Sequence, residues 1–220
     1  MIGDAFHMIG WVFLPLLSLP VVYLILPKQW LKTIISALIR TIDTLHYYLG
    51  EIVKWSLPLL VISVAASVFA LSIFGTMTVK WLESAFYFQA VIILLGAAAT
   101  LLAGQHVRVD VFYTNMSETA RARVDLISFY LLLAPVCILI LWNSQSFVGF
   151  AWNTFEGSAE SNGIRGVFLL KTLIPIFAIT MLLQGCAIAL RAAMALNGED
   201  RPERPKGMPS FFKGSSEAGL

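Results

Sequence analysis

The sequence predicts an all-α integral membrane protein, a bundle of five transmembrane helices with one amphipathic helix at the membrane interface. Apolar residues make up 58% of the chain and charged residues only 13%, whereas soluble domains average about 45–50% and about 25%. The apolar residues also fall in charge-free runs long enough to cross a hydrocarbon core, which needs about 20 residues. The lipid bilayer is thus an expected partner. A net charge of +2, with no basic patch interleaved with aromatic residues, excludes nucleic acid.

The first charge-free run extends from residue 5 to residue 27. A cleaved signal peptide would begin with positive charge and end in a small-residue cleavage site. Here Asp4 precedes the run and Lys28 directly follows it. We therefore interpret the run as a retained transmembrane span, interrupted by Pro15 and Pro20.

The segment from Leu31 to Leu49 predicts an amphipathic helix, because its apolar residues recur at helical spacing. Lys32, Arg40 and Asp43 fall on the opposite side of this helix. Such a helix is typical of the membrane interface, and the sequence leaves open the alternative of a linker packed on protein. Residues 1–54 therefore form the first predicted unit, a span followed by this helix. The apolar positions are 31, 34, 35, 38, 39, 42, 45 and 49.

Three more charge-free runs and a fourth apolar run, with Lys171 near its start, predict the remaining spans, and short polar segments separate them. Ser117 is the predicted N-cap of a helix that leads into the fourth span, with Glu118 in its first turn. Residues 55–193 are assigned to a four-helix membrane domain. Residues 194–220, rich in Pro, Gly, Ser and charge, are assigned to a disordered tail. The predicted spans are 55–79, 84–104, 126–145 and 167–190.

The basic residues predict the orientation, since Lys and Arg accumulate in cytoplasmic loops. Of the 15 Lys and Arg residues, twelve fall in segments 28–54, 105–124 and 191–220, which five spans place on one side of the membrane. The N-terminus is therefore predicted to be periplasmic and the C-terminus, with these three segments, cytoplasmic. The three basic residues on the other side are Lys80, Arg165 and Lys171.

The predicted spans have no ionised side chain in their interiors, although a carrier of a charged solute needs polar or charged groups near mid-membrane. The histidines His7, His46 and His106 are predicted to be exposed or interfacial, since no two share facing span interiors as bis-histidine haem ligation requires. Cys137 and Cys186 lie in apolar runs without metal-ligand spacing and are predicted to be buried. We therefore predict no catalytic residue, no cofactor and no metal site, and hence no enzyme.

The most distinctive sequence motifs of the chain lie in its central connector and in the segment that follows the fourth span. The small-residue run Leu95-Gly96-Ala97-Ala98 leads into His106-Val107-Arg108-Val109-Asp110. Glu156-Gly157-Ser158 and Lys171-Thr172-Leu173-Ile174-Pro175 follow at a distance. In this order the motifs resemble the small membrane subunit of TRAP transporters, the tripartite ATP-independent periplasmic family, of the DctQ type. The resemblance covers roughly residues 61–193.

The resemblance implies a subunit of the bacterial inner membrane that pairs with a large TRAP membrane subunit of the DctM type. In that family the large subunit binds solute and sodium, and a soluble periplasmic solute-binding protein docks on the pair. The small subunit would brace the static part of the large one and enlarge the docking surface. The partner-interface candidates are Trp81, Glu83, His106, Arg108, Asp110, Glu156, Lys171 and Pro175.

Two of these candidates also have plainer interpretations, and two match the family only loosely. Lys171 would extend its ammonium group to the membrane interface, and Glu156 would be a solvated loop residue. Trp81 and Glu83 match the family loosely, since many members carry two glutamates shortly after the tryptophan.

An alternative function from the enzyme class is a membrane anchor subunit of a respiratory or haem/quinone oxidoreductase. A haem absorption band at stoichiometric intensity would favour this anchor. Co-purification with a large membrane subunit would favour the TRAP hypothesis.

Overall fold

The computed structural model of the chain describes residues 15–76, 78–104 and 116–205. Within these ranges every regular element is a helix, which confirms the predicted all-α membrane class. Four stretches of the described residues are long and apolar enough to cross a membrane. They are Gln29–Phe74, Val79–Leu102, Glu118–Asn153 and Val167–Leu196. The helices are α1 (Pro15–Ile25), α2 (Gln29–Val53), α3 (Ser56–Phe74), α4 (Val79–Leu102), α5 (Glu118–Asn153) and α6 (Val167–Leu196).

The predicted first span is described only in part. The described part of α1 extends from Pro15 to Ile25, while residues 1–14 lie outside the described residues. Five spans therefore stay a prediction. The Sγ of Cys186 is 3.3 Å from the carbonyl oxygen of Leu16, and Asn197 donates to the carbonyl of Tyr23 at 3.2 Å. α1 therefore runs alongside the second half of α6 in the same direction.

α6 is the central helix of the bundle. In its most apolar window 56% of the residues are buried, against 11–28% in the other three spanning stretches. Its buried face is rich in alanine and includes Gly185, and small residues let neighbouring helices approach closely. A Cβ atom on Gly185 would lie 2.9 Å from the Phe129 ring and closer still to Leu133. Glycine is therefore needed where α5 crosses α6.

Two spans contain a wider, π-helical turn. It covers Val91–Leu95 in α4 and Phe129–Leu133 in α5. Such turns are rare overall, but those that occur often lie at functional sites. The one in α5 contacts Gly185, so it lies where α5 and α6 approach closely.

α2 buries only part of its apolar stripe. Leu31, Ile35, Ile39 and Ile42 are buried in the bundle core, so α2 does pack on protein along this face. An adjoining apolar stripe, about 100° further around the helix, faces outward. That α2 also lies in the membrane interface stays a prediction. The exposed stripe consists of Trp30, Ile34, Leu45, Tyr48 and Ile52.

α5 and α6 are longer than the spans predicted for them, residues 126–145 and 167–190. α5 begins at Glu118, and the predicted N-cap is confirmed, because the Ser117 hydroxyl accepts a hydrogen bond from the Ala120 N–H at 3.3 Å. α6 continues to Leu196. Beyond it, the Glu199 carboxylate lies 3.4 Å from the Lys32 ammonium group, so the first tail residues are held against α2. Residues 206–220 lie outside the described residues, and their disorder stays a prediction.

Candidate functional site

Polar side chains gather at both ends of the bundle. We call the end at which residues 154–166 join α5 to α6 the loop end, and the end at which α6 stops the tail end. Each end contains one cluster of hydrogen-bonded and charged groups. The loop end includes several of the residues that the sequence singled out, whereas the tail end includes residues that it did not.

Glu83 of α4 fastens the loop to the bundle. One carboxylate oxygen accepts a hydrogen bond from the Ser158 hydroxyl, and the other accepts one from the Ile164 N–H at 2.5 Å. The Ser158 N–H also donates to the Ile164 carbonyl at 3.1 Å. A Cβ atom on Gly163 would lie 2.7 Å from the carboxylate and would overlap Ser158. The loop therefore closes around Glu83, and glycine is needed for that closure.

Glu156 and Lys171 form an ion pair at the base of the same loop. The Lys171 ammonium group donates to the Glu156 carboxylate at 2.6 Å and lies 4.0 Å from the centroid of the Phe147 ring. A cation over an aromatic face gains further attraction. Pro175 follows one turn later in α6 and is buried. The sequence left Glu156 as a solvated residue among its alternatives, and the structure instead places it in a contact within the chain.

Aromatic side chains pack against one another where the loop joins α5 and α6. The Trp152 indole N–H donates to the Thr172 hydroxyl at 2.8 Å, and its ring packs edge to face on Phe168 at 4.8 Å. Phe155 has a φ of 46°, which is uncommon for a residue other than glycine, and its ring also contacts Phe168. Trp81 remains 47% exposed at this end. Its ring therefore stays accessible to lipid or protein.

The tail end contains a buried polar network that the sequence analysis missed. Arg191 of α6 donates two hydrogen bonds to Asp43 of α2, one of them at 3.3 Å. The Gln184 amide N–H donates to the same carboxylate at 3.1 Å. The Gln184 amide oxygen accepts from the Nδ1–H of His46 at 2.7 Å. Asp43, His46 and Gln184 are all fully buried.

This network corrects two expectations from the sequence. His46 is buried, not exposed, and Asp43 lies on the buried face of α2, not on its polar side. Both residues fall beside Ile39 and Ile42 on the helix face that packs on α6. A signal was present in the sequence, since residues 39, 42, 43 and 46 share one helical face.

Three of the sequence-predicted candidates cannot be placed. His106, Arg108 and Asp110 belong to residues 105–115, which lie outside the described residues. The partner-interface roles of all eight candidates stay predictions.

Replacing Glu83 by alanine is expected to free the loop, because the Ser158 hydroxyl and the Ile164 N–H both lose their acceptor. Hydrogen–deuterium exchange of the amides at 158–164 should become at least severalfold faster, since exchange follows local opening. The matched control is Glu160→Gln, which changes an exposed carboxylate on the same loop and should leave exchange unchanged. Equal exchange in Glu83→Ala and in the native protein would contradict this account of the loop.

Comparison with known proteins gives one match. The family described as "Tripartite ATP-independent periplasmic transporters, DctQ component" matches residues 60–196, well over half of the chain. No curated protein matches the chain, and no solved structure matches it. The matched range begins near the start of α3 and ends with the last residue of α6. The chain therefore belongs to the DctQ family, the small membrane component of the tripartite ATP-independent periplasmic transporters.

Proposed function

We propose that this chain braces a large DctM-type membrane subunit and helps to dock a periplasmic solute-binding protein. The complex would take up an organic acid or a similar solute, coupled to sodium. Membership of the DctQ family supports a role as a transporter component. The DctQ family is a family of transporter components, not of enzymes. The observation that carries the finer proposal is the loop fastened by Glu83, because a docking surface needs a fixed shape.

The buried charges of the bundle favour a supporting role over a transporting one. Asp43, Gln184 and Arg191 are hydrogen-bonded to one another, and these bonds join α2 to α6. A site that binds and releases a solute or an ion needs groups that can exchange partners. A network that links two buried helix faces is suited to holding those helices in place.

The loop carries exposed charges of both signs. Glu160 and Arg165 are exposed, whereas Glu156 is paired with Lys171. We infer that the loop end faces the periplasm, as the distribution of Lys and Arg in the sequence predicts. Glu160 and Arg165 would then meet the binding protein, and Glu156 would act by holding the base of the loop.

Reconstitution tests this function. Proteoliposomes that contain this chain, the large subunit and the solute-binding protein should accumulate solute when a sodium gradient is imposed. Omitting this chain should abolish accumulation, and this chain alone should give none. Accumulation by this chain alone, or full uptake by the large subunit without it, would overturn the proposal.

Docking is tested separately with purified complex. The double variant Glu160→Gln/Arg165→Gln should weaken binding of the solute-binding protein, while Lys80→Gln serves as a control for charge at the same end. Unchanged affinity in the double variant would remove both residues from the docking surface.

A further inference from the structure

A cavity of about 470 Å³ opens at the tail end between α4, α5 and α6. Its size is within the range of small-molecule pockets in proteins, about 300–1,000 Å³. Among the described residues, four arginines and two carboxylates, Glu118 and Asp125, line it. Together with Asp43, the partner of Arg191, three carboxylates stand against four arginines, so the described part of the wall keeps an excess of positive charge. The arginines are Arg121, Arg191, Arg201 and Arg204.

These arginines are held in place by contacts within the chain. Arg121 donates through its Nε to the carbonyl of Met116 at 3.0 Å, and Arg201 pairs with Glu118. Arg191 is held by Asp43. A guanidinium group has five N–H donors in a planar fork, so an arginine can bind a further ligand while it keeps a contact within the chain. Fixed guanidinium groups bind phosphate well because their planar fork matches its oxygens.

The cavity lies at the depth of lipid headgroups. Arg191 follows Lys171 by 20 residues along α6, which corresponds to about 30 Å of helix. That length equals the thickness of the hydrocarbon core. With Lys171 at one membrane surface, Arg191 and the cavity are at the other.

Part of the cavity lining is apolar. Leu102, Ile188 and Ala192 line it together with the arginines. A free phosphate ion gains nothing from such a lining, whereas the glycerol and the first acyl carbons of a phospholipid do. Basic pockets between transmembrane helices are known to take the headgroups of anionic lipids.

We propose that the four-arginine cavity at the tail end binds the phosphate group of an anionic phospholipid. The lipid would join α4, α5 and α6 where they approach the membrane surface. The inference is independent of the transport function, since it concerns only this chain and the bilayer.

Native mass spectrometry of the full-length chain tests the proposal, with phosphatidylglycerol and phosphatidylcholine offered in equal amounts. The native protein should retain phosphatidylglycerol preferentially. The double variant Arg121→Gln/Arg204→Gln should bind it about thirtyfold more weakly, since each basic residue near an anionic lipid contributes roughly a factor of five. The control for the Arg121 change is Arg123→Gln, which removes one positive charge from an exposed position on the same helix and should keep the affinity.

A second variant and a second ligand keep the test decisive. Arg204→Gln alone changes an exposed arginine, so it should fold normally and still bind phosphatidylglycerol about fivefold more weakly. Inorganic phosphate at millimolar concentration should not displace the lipid. The proposal is overturned if the Arg204 variant binds phosphatidylglycerol like the control, or if inorganic phosphate displaces the lipid or raises the melting temperature as much as the lipid does.

Discussion

Replacing Asp43 by leucine is expected to lower the free energy of unfolding by about 3 kcal/mol. Breaking a buried ion pair by removing one partner costs about 3–5 kcal/mol, because the other charge stays buried and unpaired. The lower end of that range applies here, since the Arg191 side chain is 12% exposed and borders the tail-end cavity. Denaturation in a detergent titration, followed by circular dichroism, measures the loss.

A double variant separates the lost pair from general damage. Asp43→Leu/Arg191→Met removes both charges, so about half of the stability should return, while Gln184 still lacks its acceptor. The control is Glu51→Gln, which breaks the partly exposed pair between Glu51 and Lys54 on the same helix and should cost less than about 1 kcal/mol. If Asp43→Leu were no worse than this control, the network would not hold α2 on α6.

Replacing Gly185 by alanine is expected to lower the free energy of unfolding by about 1–3 kcal/mol. The added methyl group would overlap Leu133 and Phe129, and overpacking in a close contact costs energy of this size. Thermal unfolding followed by tryptophan fluorescence measures the change.

Gly149 provides the matched control for Gly185. It also lies within a membrane helix, but a Cβ atom added there meets nothing within 4 Å. Gly149→Ala should therefore be neutral or slightly stabilising, because alanine favours the helix over glycine. Equal effects at the two glycines would show that packing on Phe129 and Leu133 does not explain the need for Gly185.

The sequence predicted the class of the fold and the existence of the spans, since both depend on long apolar runs. It also predicted the N-cap of α5 at Ser117, but it placed other helix ends less well. α6 continues to Leu196, past the predicted span end at 190, because charged residues end the hydrocarbon segment without ending the helix. Helices extend past the membrane as long as their caps and neighbours support them.

The contacts of the polar residues could not be read from the sequence. Glu83 bonds to Ser158 and Ile164, which lie 75 and 81 positions further along the chain. Asp43 bonds to Arg191, which lies 148 positions further along. Such pairings depend on which helix faces meet, and periodicity within one helix does not give that. The link between Glu156 and Lys171 spans only 15 positions, and even there the sequence identified both residues without predicting that they pair.

The wide turns in α4 and α5 have a consequence for comparing this chain with others of different length. A π-helical turn accommodates one residue more than regular winding does, while the helix on either side keeps its neighbours. In α4 this turn, Val91–Leu95, separates Glu83 from the buried Ala98. A homologue one residue shorter within that turn can keep both positions aligned as an ordinary α-helix. A deletion elsewhere in α4 would swing the carboxylate by about 100° and away from the loop.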